Sequence, residues 1–434
     1  MTSRTTLPRL LAALLLTSLV WAGAAPAASA APLATRIARE VQASPVRGTT
    51  SVIAWDQQTR EVIYTRNADR PVTPASTMKL LTSAAVLAHF GGDHRFETSI
   101  WTTGTIDPAD PTRWLGSLYV VGGGDPSLST AGFARDNYGS VTSGTNIAGL
   151  IAPLQKLGVT TVAGRIFVVD DYLDSERYVR EWPSHFRFEE TGALGALTVN
   201  QSQVGRWIGS GSTRTPDVRA GAILHGLFER AGIEVIGAPR AGSLPTFAVE
   251  AGTIESPPLR VLLRHLNRSS DNFYAEMLLK DLGRSVYGPG KGTTADGRRA
   301  GRVVLDDLGV DVTRLTWVDG SGLAYGNRVT GRLLSHVLGI GAQASWSSEW
   351  IDSLSRSGVA GTIRRRMSTW PYRNRISAKT GTLRHVSALA GFSTRLGGTN
   401  RYGFVVVTSN PVGSQVSYTA ARRLQDRVAM TLVR

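Results

Sequence analysis

The sequence predicts an α+β protein: strand pairs near both ends of the chain, helical runs beside them, and a long β-rich stretch between. Three observations carry that expectation. Residues 51–55 and 61–64 are rich in Val, Ile, Trp and Tyr around the polar turn 56–60, a hairpin signal. Residues 386–394 and 402–409 repeat the pattern across a turn at 396–400. From about 97 to 252 short β-like runs (117–121, 165–169) alternate with Gly, Pro, Asp and Ser, and long helices are scarce. We read 97–252 as an inserted, largely β segment, and 31–96 with 253–434 as the discontinuous domain that carries it.

Taken in order, residues 1–30 have the layout of a secretory signal peptide. Arg4 and Arg9 give a positive start, 10–20 is an apolar run too short to span a bilayer comfortably, and Ala28-Ser29-Ala30 is a small-residue cleavage site. Removal leaves about 400 residues with no later stretch apolar enough to span. The mature chain is therefore expected outside the cytoplasmic membrane, in the periplasm or cell wall, without a transmembrane segment. Residues 33–43 read as a short amphipathic helix. Residues 80–88, after Pro74 and Ser76, read as a buried one. A final helix spans 417–433, with Ala421, Leu424, Val428 and Leu432 on one side.

Composition narrows the chemistry. The chain has no Cys, which removes disulfides, thiol nucleophiles and Cys-based metal sites. Its net charge is +15. The excess is 43 arginines against five lysines with acidic residues interspersed, so it does not by itself point to nucleic acid. The dense run Arg364-Arg365-Arg366 reads as a solvated helix face rather than a binding patch. The five lysines, Lys79, Lys156, Lys280, Lys291 and Lys379, stand where arginine, which cannot lose its proton, does not serve.

Two of those lysines lie in motifs. Ser76-Thr77-Met78-Lys79 is the single Ser-x-x-Lys, and its i, i+3 spacing at a helix start puts Ser76 and Lys79 on one face. The unpaired N–H groups there favour an alkoxide or oxyanion, and burial can depress the lysine so that it acts as a base. Ser270-Asp271-Asn272 opens a second helix; alone it is an ordinary N-cap. Lys379-Thr380-Gly381 ends a strand, where cation and hydroxyl can bind a terminal carboxylate and the next N–H, at Thr382, can serve an oxyanion. Each motif alone is weak. Their order and uniqueness form the signature set of penicillin-binding proteins and serine β-lactamases.

On these residues the chain resembles the class C low-molecular-mass penicillin-binding proteins, the D-alanyl-D-alanine carboxypeptidase/endopeptidase family. The resemblance runs through 74–87, the Gly122-Gly123-Gly124-Asp125-Pro126 segment, 270–279, 319–323, 361–363 and 378–391. It implies a transpeptidase-like catalytic domain shared in architecture with β-lactamases, in which both strand pairs join one antiparallel sheet flanked by helices, with the nucleophile helix against it. It also implies roles. Ser76 attacks the carbonyl between the last two D-alanines of a peptidoglycan stem peptide and Lys79 takes its proton. Ser270 relays a proton to the leaving amine and Asn272 holds the substrate amide. Lys379, Thr380 and Gly381 form the carboxylate-binding strand, and the N–H groups of Ser76 and Thr382 the oxyanion hole. No cofactor or metal is needed, and β-lactams are expected as covalent inhibitors.

Two rivals belong beside this reading. A β-lactamase needs a dedicated deacylating base, and no Glu-x-x-x-Asn lies between Asn272 and Lys379. A non-catalytic wall-binding protein with the same fold has no reason to keep all three motifs. No His-Glu-x-x-His is present, which argues against a zinc carboxypeptidase, and His385 is assigned a rim or packing role.

Overall fold

The computed structural model describes residues 31–208 and 211–434; the expected export signal, 1–30, lies outside them. One sheet has six antiparallel strands in the order Ser355–Arg356, Ile376–Leu383, Val386–Thr394, Arg401–Ser409, Thr49–Asp56 and Val62–Arg66. The two ends of the chain meet at its centre, where Val52 pairs with Val406 and Ala54 with Phe404. The 404–407 run is apolar throughout because both faces are covered. Successive side chains point to opposite faces, so Phe404 and Val406 enter the core under helices Leu33–Gln42 and Tyr418–Val433. Val405 and Val407 enter the core on the other side, with residues of Lys79–Phe90, Asn272–Tyr287 and Gly331–Gly341.

Between helices Lys79–Phe90 and Leu259–His265 the chain builds a second sheet, in the order Val249–Glu255, Glu97–Thr102, Leu118–Gly122, Thr161–Val169, Asp110–Leu115 and Thr105–Asp107. Glu234–Ala241 also pairs with Thr161–Val169. The sheet is mixed, since Thr161–Val169 runs parallel to three partners. Helix Pro216–Arg230 contributes Leu224 and Phe228 to its core beside Ile100, Val120, Ile166 and Val168.

The segment is not self-contained. Phe133, Tyr138, Leu173, Trp182 and Leu194 belong to the core of the larger part. Trp182 Nε1 donates to Asp319 Oδ2 at 2.7 Å, and the buried Lys280 pairs with Asp174 and donates to the Glu176 carbonyl at 2.8 Å. Residues 171–202 thus lie against the helix Asn272–Tyr287 and the turn at Asp319. Among the described residues no helix is long and apolar enough to cross a membrane.

Phe404 is fully buried on a central strand, whereas Phe247 is 75% exposed. Phe404→Ala should cost about 3–5 kcal/mol of unfolding free energy and Phe247→Ala less than about 0.5 kcal/mol, read by chemical denaturation; equal costs would contradict this placement of the core.

Candidate active site

Ser76 sits in a short 3₁₀ turn, Ala75–Met78, that runs directly into the helix Lys79–Phe90. The helix proper therefore begins three residues later than the serine, and the tight turn leaves Ser76 partly exposed while Thr77 and Met78 are buried. Ala75 has a φ of +48° and Ser270 of +63°, a region that non-glycine residues rarely adopt. Such strain clusters where surrounding structure over-determines the backbone. Gly322 supplies part of that determination: a Cβ there would lie 2.0 Å from the Ala75 carbonyl oxygen.

Lys79 is fully buried. Its Nζ is 3.1 Å from Ser76 Oγ, 2.6 Å from Asn272 Oδ1 and 2.7 Å from the Ser321 carbonyl oxygen. Asn272 Oδ1 and the carbonyl can only accept, so two N–H bonds are committed and the third position faces the serine hydroxyl. A neutral amine can direct its lone pair there. Burial lowers Lys79 from its ordinary value to about 8, against the opposing charges of Asp319, Glu276, Asp271 and Glu190.

Two buried acids support this arrangement from below. Glu276 accepts from the N–H groups of Gly320 and Ser321 at 3.1 and 2.7 Å. Asp319 accepts from Gly322 N, Ala324 N and Asn327 Nδ2 at 2.6–2.8 Å. The pair fixes the 319–324 turn so that the Ser321 carbonyl meets Lys79. Burial and the nearby Asp319 raise Glu276 well above the usual carboxylate range.

The third motif closes the other wall. Gly381 lies where a Cβ would sit 2.8 Å from the Pro74 carbonyl oxygen, so the strand edge approaches the nucleophile turn as only glycine permits. Lys379 is fully buried; its Nζ donates to Ser270 Oγ at 2.8 Å and to the Thr380 carbonyl at 3.0 Å. Burial, then the charge of Lys79, hold it well below its ordinary value. Thr380 Oγ1 donates to Thr362 Oγ1 at 2.8 Å. A cavity of about 570 Å³ joins Ser76, Ser270, Asn272, Thr380 and Thr382 in one groove. Five of the eight sequence-derived residues line it, and Lys79, Lys379 and Gly381 lie directly behind them. Two differ in detail from expectation. Asn272 is engaged at both ends, by Lys79 and by donation to the Glu190 carbonyl at 2.7 Å. Lys379 reaches the groove through Ser270 rather than directly.

Sequence reasoning missed the second tier. Asp271 caps Tyr274 N at 3.0 Å, and its other oxygen accepts from Gln201 Nε2 at 2.8 Å and lies 3.0 Å from His265 Nε2. Gln201 reaches it from a left-handed turn, with φ of +54°, +50° and +58° at Asn200, Gln201 and Ser202. Nothing in the sequence linked position 201 to 271. Only the Ser321 turn had a signal, its Gly-Ser-Gly composition. His385 packs edge-on against Tyr325, a groove-lining residue, at 4.9 Å between ring centroids.

The sequence profile of the D-Ala-D-Ala carboxypeptidase 3 (S13) family matches residues 33–204 and 192–430. A D-alanyl-D-alanine carboxypeptidase of Actinomadura sp. (strain R39) is 29% identical over 461 residues, covering 88% of this chain and 80% of its own. A carboxypeptidase of Mycobacterium tuberculosis is 26% identical, covering 88% and 82%. Among solved structures, penicillin binding protein 4 from Haemophilus influenzae superposes with a TM-score of 0.78 at 20% identity, over 92% of this chain and 99% of that one. A predatory endopeptidase from Bdellovibrio bacteriovorus does so with a TM-score of 0.56 at 18% identity, over 89% and 93%.

Burial alone would raise Asp271, but His265, Tyr274 N–H and Gln201 hold it below its ordinary value. Its stabilisation is complete above about pH 4 and is lost as pH falls through the lower folded-state value. Asp271→Ala should cost about 3–5 kcal/mol at neutral pH, with the difference from wild type shrinking in acid. Urea titrations at pH 7 and pH 3 check this; a cost unchanged between them would contradict it.

Proposed function

The chain belongs to the D-Ala-D-Ala carboxypeptidase 3 (S13) family and is a serine D-Ala-D-Ala carboxypeptidase/endopeptidase of the class C penicillin-binding type; from that premise we propose that Ser76 is its nucleophile and Lys79 the base. The observation that carries this is the buried Lys79 amine, lowered to about 8 and within 3.1 Å of Ser76 Oγ. The substrate is a peptidoglycan stem peptide ending in D-Ala-D-Ala, met outside the cytoplasmic membrane after export. β-Lactams acylate the same serine in this reading, which is supported by the structure of the Haemophilus influenzae protein in complex with a β-lactam.

In this reading Ser76 Oγ attacks the carbonyl carbon of the penultimate D-Ala while its proton moves to Lys79 Nζ. Negative charge develops on the carbonyl oxygen, which the N–H groups of Ser76 and Thr382 stabilise where it forms. The C–N bond then breaks. The leaving amine takes a proton from Ser270 Oγ, which Lys379, 2.8 Å away, can replace. Thr380 and Thr382 hold the terminal carboxylate, and Lys379 braces Ser270 beside them. Water attacks the acyl-enzyme by the reverse route, returning the proton to Ser76. Asn272 acts first as a positioning residue, tying Lys79 to the 190 segment.

Fluorescent penicillin labelling of wild type beside Ser76→Ala, with D-Ala release from a stem pentapeptide, tests the assignment. The expected result is a covalent adduct that persists over hours in the wild type, none in the variant, and a fall in D-Ala release of about 10⁴-fold or more. An adduct retained by Ser76→Ala would place the nucleophile elsewhere. Rapid loss of the wild-type adduct with catalytic penicillin turnover would favour a β-lactamase instead.

A further inference from the structure

The groove does not end at the paired threonines. A second cavity of about 480 Å³ shares Thr362, Thr380 and Thr382 with the active-site cavity. Its far wall carries Arg364, Arg365, Arg366 and Arg422, and no Asp or Glu lines it. The arginine run read from sequence as a helix face instead follows the 3₁₀ turn Gly361–Ile363 in non-helical backbone. Arg366 is held by Asp426, at 2.7 and 3.0 Å, and by Gln425 at 3.0 Å. Arg364, Arg365 and Arg422 are exposed; Arg422 also acts electrostatically on Asp426, which Arg366 holds. Arg422 lies over the ring of Tyr418, which lines the active-site cavity.

Direction along the strand says what this cavity faces. Side chains alternate across Ile376–Leu383, so Thr380 and Thr382 point to the side opposite Lys379. A scissile carbonyl at Ser76 with the leaving residue's carboxylate at these threonines puts whatever else that residue bears into the arginine-lined space. Free D-Ala bears nothing more. When the leaving amine belongs to a second stem peptide, the rest of that peptide extends there, and it carries further carboxylates.

We infer that the cavity of Arg364, Arg365 and Arg422 is the leaving-side subsite for cross-linked substrates, holding the carboxylates of the second stem peptide. This rests on the acyl-transfer reading of Ser76 and adds to its endopeptidase side the residues that hold the leaving peptide. Exposed guanidiniums facing a groove hold carboxylates through charge-assisted hydrogen bonds and draw an anionic chain into position. The effect is screened by salt.

The test compares a peptidoglycan dimer cross-linked through D-Ala, a monomeric pentapeptide and fluorescent penicillin, on wild type, Arg364→Ala/Arg365→Ala, Arg422→Glu and the charge-keeping Arg364→Lys/Arg365→Lys. The expected result is a KM for the dimer raised about tenfold in the first two variants, with kcat within about twofold, and near-wild-type behaviour of the lysine variant. Wild-type KM for the dimer should rise with salt while that of Arg422→Glu moves little. D-Ala release and penicillin acylation should stay within about twofold in every variant. An unchanged KM for the dimer, or equal losses on dimer and pentapeptide, overturns the subsite. A wild type that releases D-Ala but leaves the dimer intact overturns the subsite and spares the reaction assigned to Ser76. A wild type that acts on neither peptide nor penicillin overturns both.

Discussion

The active site depends on keeping one lysine amine out of water at the foot of a serine. Burial disfavours the charged amine, and the acids beneath it oppose that tendency without cancelling it. The balance leaves Lys79 near 8 rather than above 10, where it would be almost wholly protonated and useless as a base at neutral pH. Every nearby feature follows from that need. The 319–324 turn offers a carbonyl to Nζ, Asn272 offers its oxygen, and Glu276 and Asp319 tie the turn down by its own backbone N–H groups. Lys379, buried on the other wall, is disfavoured as a cation by its own burial and then by the charge of Lys79.

Such a site needs walls from several parts of the chain, which explains the packing of the 171–202 region. It delivers Trp182 to Asp319, Gln201 to Asp271 and the Glu190 carbonyl to Asn272. Each of these contacts an acid or amide that in turn holds a motif residue. The inserted segment therefore buttresses the motifs on one side, while its sheet, with a separate core, stands apart. On the opposite side the Lys-Thr-Gly strand is left as a partly open edge. Ser355–Arg356 pairs only with its first half, through Ala378 and Ser377, and Thr380 and Thr382 beyond it line the groove.

Much of this was legible in the sequence, for a physical reason. The hairpin, the C-terminal strand pair and the terminal helix are strongly patterned, and the structure has them at Thr49–Asp56 with Val62–Arg66, at Val386–Thr394 with Arg401–Ser409, and at Tyr418–Val433. The motifs were legible because a lysine base, a serine nucleophile and a glycine close approach admit few substitutes. Lysine scarcity pointed the same way: Lys79, Lys280 and Lys379 are all buried, and only Lys280 is structural. What stayed hidden were contacts between positions far apart in the chain that use ordinary residues. Gln201 and Glu190 act by where the fold puts them, and no local pattern marks them. The arginine run misled for a related reason. Its spacing fits a solvated helix, but Gly361, with a φ of +70°, turns the chain before one can form.

The account stands on Lys79 acting as a neutral base, and the pH dependence of Ser76 acylation by a β-lactam under single-turnover conditions tests that most directly. With Lys79 lowered to about 8, about a tenth of the enzyme is competent at pH 7 and half at pH 8. The acylation rate should therefore rise about fivefold between those values and level off above about pH 9. A rate that is flat from about pH 6 to 9, or one still climbing through about pH 10.5 as for an ordinary lysine, would contradict it.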